Sequence, residues 1–284
     1  MESFLSSEYN VTSGAEIAAE SASSSNASGN DYVLYYDVDE LAGEFDRVAT
    51  ARLGIGRCNV SLYDLLMGWW ERSANRKTIE AMIAAGHQGK ILELGVGTGH
   101  LLSLMAMKFP QSKIIGVDYS RGMIEAARQR LKECGVKNCD IIHKNCYNLP
   151  DDLREQDIIV SSFLFDLQPA DRLRSLLEEC AARLKPEGAL FITVLTQDYS
   201  GLSRLQKWYF GMGAAIYKYC YGSRWLQAIS RFCFAGYYTH CRPLDIKSYI
   251  GGTTGVKVVR SETSSIRILG IPFLPVEIIH AEKK

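Results

Sequence analysis

The chain has 284 residues, 47% of them hydrophobic and 23% charged, which is enough apolar content for a large core and too much for global disorder. Its 32 basic and 32 acidic side chains cancel, so no whole-chain field recruits nucleic acid, and no run approaches the roughly 20 apolar residues of a spanning helix. Eight cysteines without a C-x-x-C pair read as reduced thiols of a cytoplasmic protein and exclude a disulfide-framed secreted domain.

Taken in chain order, residues 1–30 hold nine serines and predict a disordered acidic tail ahead of a single domain over 31–284. Residues 1–46 carry ten acids and no Lys or Arg, the reverse of a secretory or mitochondrial presequence. Ile79, Met82 and Ile83 mark one stripe of a helix that Gly86 closes. A short apolar strand over Lys90–Leu94 leads into a glycine-rich turn and a helix over 99–109, ended by Pro110. Then come a strand over 113–117 and a helix capped by Ser120, with Ile124, Ala127, Leu131 and Cys134 on its apolar face. Strands over Cys139–His143 and 157–163 follow. Leu173, Leu176, Leu177, Cys180 and Leu184 mark the next helix, stopped by Lys185-Pro186-Glu187-Gly188 before a strand over 189–195. Such alternation predicts a parallel sheet covered by helices on both faces. It breaks at 199–244, where 3–4 spacing of apolar residues predicts two amphipathic helices inserted before the last strands, 256–262 and 276–281.

The chemistry concentrates in Ile91-Leu92-Glu93-Leu94-Gly95-Val96-Gly97-Thr98-Gly99-His100. Strand, turn and helix meet there, at the carboxyl edge where open α/β sheets bind ligands. Three glycines let a ligand lie against the backbone. The spacing is G-x-G-x-G, with His100 where a dinucleotide fingerprint would place its third glycine. Glu93 sets a carboxylate beside the ligand, which suits a cation and not a pyrophosphate. Asp118 ends the second strand, where an acid accepts both hydroxyls of a ribose.

These residues, from Tyr63-Asp64 to Lys185-Pro186-Glu187-Gly188-Ala189, resemble the class I S-adenosylmethionine-dependent methyltransferases, in the branch that holds quinone and phospholipid methyltransferases. The resemblance implies a Rossmann-like, seven-stranded, mostly parallel sheet with a helical cap inserted before the last strands. It implies S-adenosylmethionine as cofactor, with Glu93, Gly95, Gly97 and Gly99 at its methionine half. Asp118 would bind the ribose, and Tyr119 and Met123 would face the adenine. Asn145-Cys146 stands where the family has Asp and a small residue, leaving a side-chain carbonyl to accept from the adenine amine. Ser161 and Phe163 would lie near the transferred methyl, and Tyr63 would reach back over the cofactor. A proton acceptor is needed only for a protonated acceptor atom, and the candidates are Asp166, Tyr238 and His240.

In this family the segment after the fifth strand commonly caps the acceptor pocket. Residues 199–244 carry twelve aromatics and six basic residues without an acid. That composition fits a lid over an apolar or amphiphilic acceptor, a quinol or a phospholipid amine, with peripheral contact to anionic lipid. The alternatives are a soluble amine as acceptor, or a silent protein that binds the cofactor without turnover. A nicotinamide-dependent dehydrogenase is disfavoured by the glycine spacing. His87, His100, His143 and His280 show no metal-ligand spacing with carboxylates or cysteines, so no metal is expected. The acidic 31–46 stretch, anchored by Tyr32, Tyr35 and Tyr36, is expected to fold over the basic cap.

Overall fold

The computed structural model describes residues 38–50, 52–55, 58–61, 63–64, 68–196, 204, 244–252, 255–268 and 271–284, all within the unit Tyr35–Lys284. The expected serine-rich tail lies outside the described residues. So does nearly all of the expected cap over 199–244, including Tyr238 and His240.

The elements run α1 (Val38–Thr50), β1 (Arg52–Ile55), β2 (Cys58–Ser61), α2 (Gly68–Ala85), β3 (Lys90–Leu94), α3 (His100–Lys108), β4 (Lys113–Asp118), α4 (Arg121–Cys134) and β5 (Cys139–His143). They continue with β6 (Gln156–Ser162), α5 (Ala170–Arg183), β7 (Leu184–Leu195), α6 (Ile246–Gly251), β8 (Val256–Ile268) and β9 (Ile271–Lys283). Seven strands form one sheet in the order β5-β4-β3-β6-β7-β9-β8, with β3 to β7 parallel, β9 antiparallel to β7 and β8 antiparallel to β9. The chain winds outward from β3 to β5, then returns to lay β6 on the other side of β3. That reversal leaves a crevice at the carboxyl ends of β3 and β6.

Period-two alternation divides the core. Leu92, Leu94, Ile159, Leu190 and Ile192 face Leu173, Leu176, Leu177 and Cys180 of α5 on one side. Ile91, Ile158, Val160 and Phe191 face Ile79 and Met82 of α2 and Leu101, Leu102 and Met105 of α3 on the other. Burial of this kind stabilises by about 25 cal/mol for each Å² of apolar surface.

Local signals explain most boundaries. The Ser120 hydroxyl accepts from the Met123 amide at 3.1 Å, and Gly135 closes α4 at φ 66°. Gly86 ends α2 at φ 75°, as the glycine predicts. Three expectations are corrected. Ile83 is 53% exposed and Cys134 is exposed, so each helix stripe is one residue narrower than its spacing implies. The fifth strand starts at Leu184 because a register shift between Gln156 and Ile158 absorbs the Pro186–Gly188 kink. A hairpin, β1 with β2, occupies a segment that carries no strong alternation.

Candidate active site

Backbone geometry builds the floor of the crevice. Gly95 and Val96 donate their amides to the Val117 carbonyl at 2.9 and 3.2 Å, which swings the chain across the end of β4. Gly97 has φ 54°, and a Cβ built on it would meet no protein atom within 4 Å. Gly99 differs. Its Cβ would sit 2.8 Å from the Ala127 Cβ of α4, so this glycine serves the packing of α3 against α4, not contact with a ligand as expected. It does not line the cavity.

Three carboxyl groups converge on that floor. Asp118, at the end of β4, accepts from the Gly97 amide at 2.8 Å and the Ser120 amide at 2.9 Å; burial still pushes its carboxyl up. Glu93 is 1% exposed, its Oε2 has no hydrogen-bond partner among the described residues, and burial holds it well above the carboxylate range. Glu71, on α2, accepts from the Tyr63 hydroxyl at 2.5 Å, and burial raises it to about 7. All three line one cavity with Gly95, Gly97, Tyr119, Met123, Asn145, Cys146 and Phe163.

A polar chain runs along the wall. Ser162 donates to the Asn75 carbonyl at 2.8 Å, and the Asn75 amide lies 3.2 Å from His100 Nδ1. Burial first, then Arg130 and Arg72, lower His100 to about 4, so the imidazole is neutral and Nδ1 is the acceptor. Behind the turn, Asp64 accepts from the Thr98 hydroxyl at 2.7 Å and pairs with Arg130 at 2.7 Å, while Arg130 Nε donates to the Thr98 carbonyl at 2.8 Å. Tyr63-Asp64 is thereby tied to the glycine turn, which places the Tyr63 ring in the cavity lining.

At the other end, Tyr119 stacks on His143 with ring centroids 5.9 Å apart, and Met123 is buried beneath. Asn145 Oδ1 accepts from the Tyr147 amide at 3.0 Å, an Asx turn that already engages the carbonyl expected to face an adenine amine. The Cys146 thiol is pushed up to about 12 by burial and stays protonated. Leu164, Leu167 and Pro169 make an apolar wall. Phe163 holds φ 57°, rare for a bulky side chain, and its amide is fixed on the Thr193 carbonyl at 2.8 Å.

Two further expectations shift. Ser161 is fully buried and does not line the cavity; its neighbour Ser162 does, because alternation along β6 turns only one of them to that face. Asp166 is 1% exposed, accepts from the Leu195 amide at 2.8 Å and lies off the cavity, so it ties the turn after β6 to β7. Sequence reading missed Glu71, Asn75 and His100. The usable signal was Glu71, Asn75 and Thr78 at helical spacing, polar residues on the same face as the Met82 core contact.

Comparison with known proteins finds methyltransferases. A family profile described as "Methyltransferase domain" matches residues 91–188. The phosphatidylethanolamine N-methyltransferase of Cereibacter sphaeroides is 31% identical over 150 residues, 52% of this chain and 70% of that protein. The demethylmenaquinone methyltransferase of Thermotoga maritima is 36% identical over 120 residues, 42% of this chain and 49% of that one. The chain spans about half the length or less of several such curated relatives. Among solved structures, N-methyltransferase NodS from Bradyrhizobium japonicum WM9, in complex with S-adenosyl-l-homocysteine, superposes with TM-score 0.58 at 12% identity, covering 85% of this chain and 97% of that one. That likeness carries the fold.

The residues present fit S-adenosylmethionine. Gly97 leaves backbone surface open to a ligand, and the orphaned Glu93 oxygen and the Glu71 carboxyl await positive charge.

Proposed function

For a chain that belongs to the class I S-adenosylmethionine-dependent methyltransferases, we propose an enzyme that transfers a methyl group to a small apolar or amphiphilic acceptor, such as a quinol or a phospholipid amine. The observation that carries the reading is the convergence of Glu71, Glu93 and Asp118 on one cavity floored by Gly97. When bound, S-adenosylmethionine supplies an electrophilic methyl on a sulfonium leaving group. The chain's own residues then have little covalent work: they orient the reactants, exclude water and accept a proton where the acceptor carries one. Glu93 and the glycine turn would hold the methionine half, and Asp118 would take the ribose hydroxyls. Tyr119, Met123, Asn145 and Cys146 line the same cavity and would hold the adenine.

Glu71 replaces Asp166 as the favoured proton acceptor. A carboxyl near 7 takes a proton at neutral pH, and the Tyr63 hydroxyl fixes its orientation. The wall of Phe163, Leu164 and Leu167 supports an apolar acceptor. The family match covers residues 91–188 alone, so the acceptors of relatives do not carry over on that ground.

The test has two arms. Calorimetry with S-adenosylhomocysteine establishes the cofactor site, and binding without any turnover would favour the silent-binder reading. Methyl-labelled cofactor is then offered with quinols, phospholipid amines and soluble amines. Label in the soluble amines alone would overturn the lipid-like acceptor. Peripheral association is tested by flotation: the basic 199–244 segment should carry the protein with anionic vesicles at low salt and not with neutral ones.

A further inference from the structure

Across the sheet from the crevice, three side chains from distant parts of the sequence meet. His87 lies between α2 and β3, and His280 and Glu282 stand two residues apart on β9, facing the same side. The location is the amino end of the parallel strands, where Glu282 pairs with Ala189 at the start of the straight part of β7. Their donor atoms all lie within 4.8 Å of one another.

The separations suit neither hydrogen bonds nor independence. Glu282 Oε1 is 3.7 Å from His280 Nε2 and 4.0 Å from His87 Nε2. Both exceed hydrogen-bond length. Two donors each about 2.0–2.1 Å from a tetrahedral ion stand roughly 3.3 Å apart, so seating one requires the side chains to close by roughly 0.4 Å and at most about 1.5 Å, within reach of side-chain rotation. His280 is oriented in advance: its ring stacks on Phe191 at 4.7 Å and 9°. Its Nε2 is buried and has no hydrogen-bond partner among the described residues, which normally marks a missing partner. On β8, Arg260 stands opposite His280 and Lys257 opposite Glu282, and the Arg260 guanidinium lies 3.6 Å from Glu262.

We propose that His87, His280 and Glu282 bind one divalent transition-metal ion of the zinc or cobalt class. Two imidazoles and one carboxylate select such ions over magnesium or calcium, which prefer all-oxygen shells. The His87 and Glu282 side chains are 24% and 30% exposed, leaving a solvent side for water as the fourth ligand. Binding would clip the α2–β3 connection to β9, away from the cofactor.

The experiment uses the full chain without a histidine tag, stripped by chelator. Cobalt(II) titration is followed by visible absorption, and zinc(II) titration by calorimetry and thermal denaturation. One ion per chain is expected, with a tetrahedral cobalt spectrum that lacks thiolate charge transfer, and a metal-dependent rise in Tm. His87→Gln and Glu282→Gln, both at partly exposed positions, should each weaken binding by roughly tenfold or more while keeping the metal-free Tm and S-adenosylhomocysteine affinity. Absence of saturable binding, or unchanged affinity in both variants, would overturn the site. Thiolate bands would do the same by assigning the ion to the cysteines.

Discussion

Asp118, Gly97, Gly99 and Glu71 carry separable loads. Removing the Asp118 carboxylate takes away a charge-assisted acceptor worth on the order of 1.5–3 kcal/mol, so Asp118→Ala should weaken S-adenosylhomocysteine by roughly one to two decades in calorimetry. Gly97→Val fills the open space above the turn and should abolish binding, with a Tm cost from its φ of 54°, whereas Gly99→Ala adds a clash with Ala127 and should lower the Tm while cofactor binding persists. Reversal of those two outcomes would exchange the roles of the glycines. Glu71 makes the sign of a pH effect explicit. Its carboxyl rises from 4.5 to about 7 on folding, so its ionisation opposes folding: the penalty is absent below 4.5, grows between the two values and is complete above 7. Glu71→Gln should therefore raise the Tm of the ligand-free protein above pH 7 and leave it unchanged near pH 4.5. A cationic ligand pulls the other way, favouring the carboxylate. S-adenosylmethionine affinity should fall as pH drops below about 7, and the variant should release fewer protons on binding, read by calorimetry in buffers of different ionisation enthalpy.

Elements were legible where one physical signal dominated. β3 matches its expected bounds because a buried parallel strand reads as a mostly apolar run, β5 matches on the short apolar centre of an edge strand, and α4 is bounded by the caps Ser120 and Gly135. The turn, Glu93 and Asp118 were legible because strand, glycines and acid fall at fixed local spacing. α2 was legible only as a core helix. Its site-facing side carries Glu71 and Asn75, whose partners Tyr63, His100 and Ser162 come from three other segments, and no local pattern encodes such meetings. Ser161 and Ser162 show the limit at single-residue resolution, since a one-residue change of phase moves the hydroxyl from cavity to core. The tie that locks α2's entry to the turn is the Asp64–Arg130–Thr98 set, with its ion pair at 14% and 22% side-chain exposure. Asp64→Asn should halve that tie. The expected result is a Tm drop together with weaker cofactor binding.

At the scale of the whole molecule, the described end of the acidic amino-terminal stretch packs on α4. Asp46, at the end of that stretch, accepts from the Gly122 amide at 2.8 Å and the Ser120 hydroxyl at 2.5 Å, so its carboxylate sits on the amino terminus of α4. The approach is close: a Cβ on Gly122 would lie 2.9 Å from the Asp46 Cα. Phe45 meets the Tyr63 ring edge-on at 6.3 Å, and Ala42 and Phe45 line the cavity. α1 is therefore a wall of the site, held by a helix terminus and an aromatic contact, and the basic 199–244 segment is not needed to explain its position. Charge complementarity between exposed groups would contribute only about 0–1 kcal/mol per pair, whereas a carboxylate on a helix terminus with two hydrogen bonds is directional and partly buried. Truncation separates these ideas. Deleting residues 1–30 removes a polar, serine-rich stretch and should leave S-adenosylhomocysteine affinity and Tm unchanged. Deleting residues 1–50 removes α1, uncovers the amino terminus of α4 and opens the cavity to water beside Tyr63. That chain should bind the cofactor at least tenfold more weakly and be cut by protease near α4, and Asp46→Ala in the full chain should reproduce part of the loss. Equal affinity in the two truncations would show that α1 lies against the site without closing it.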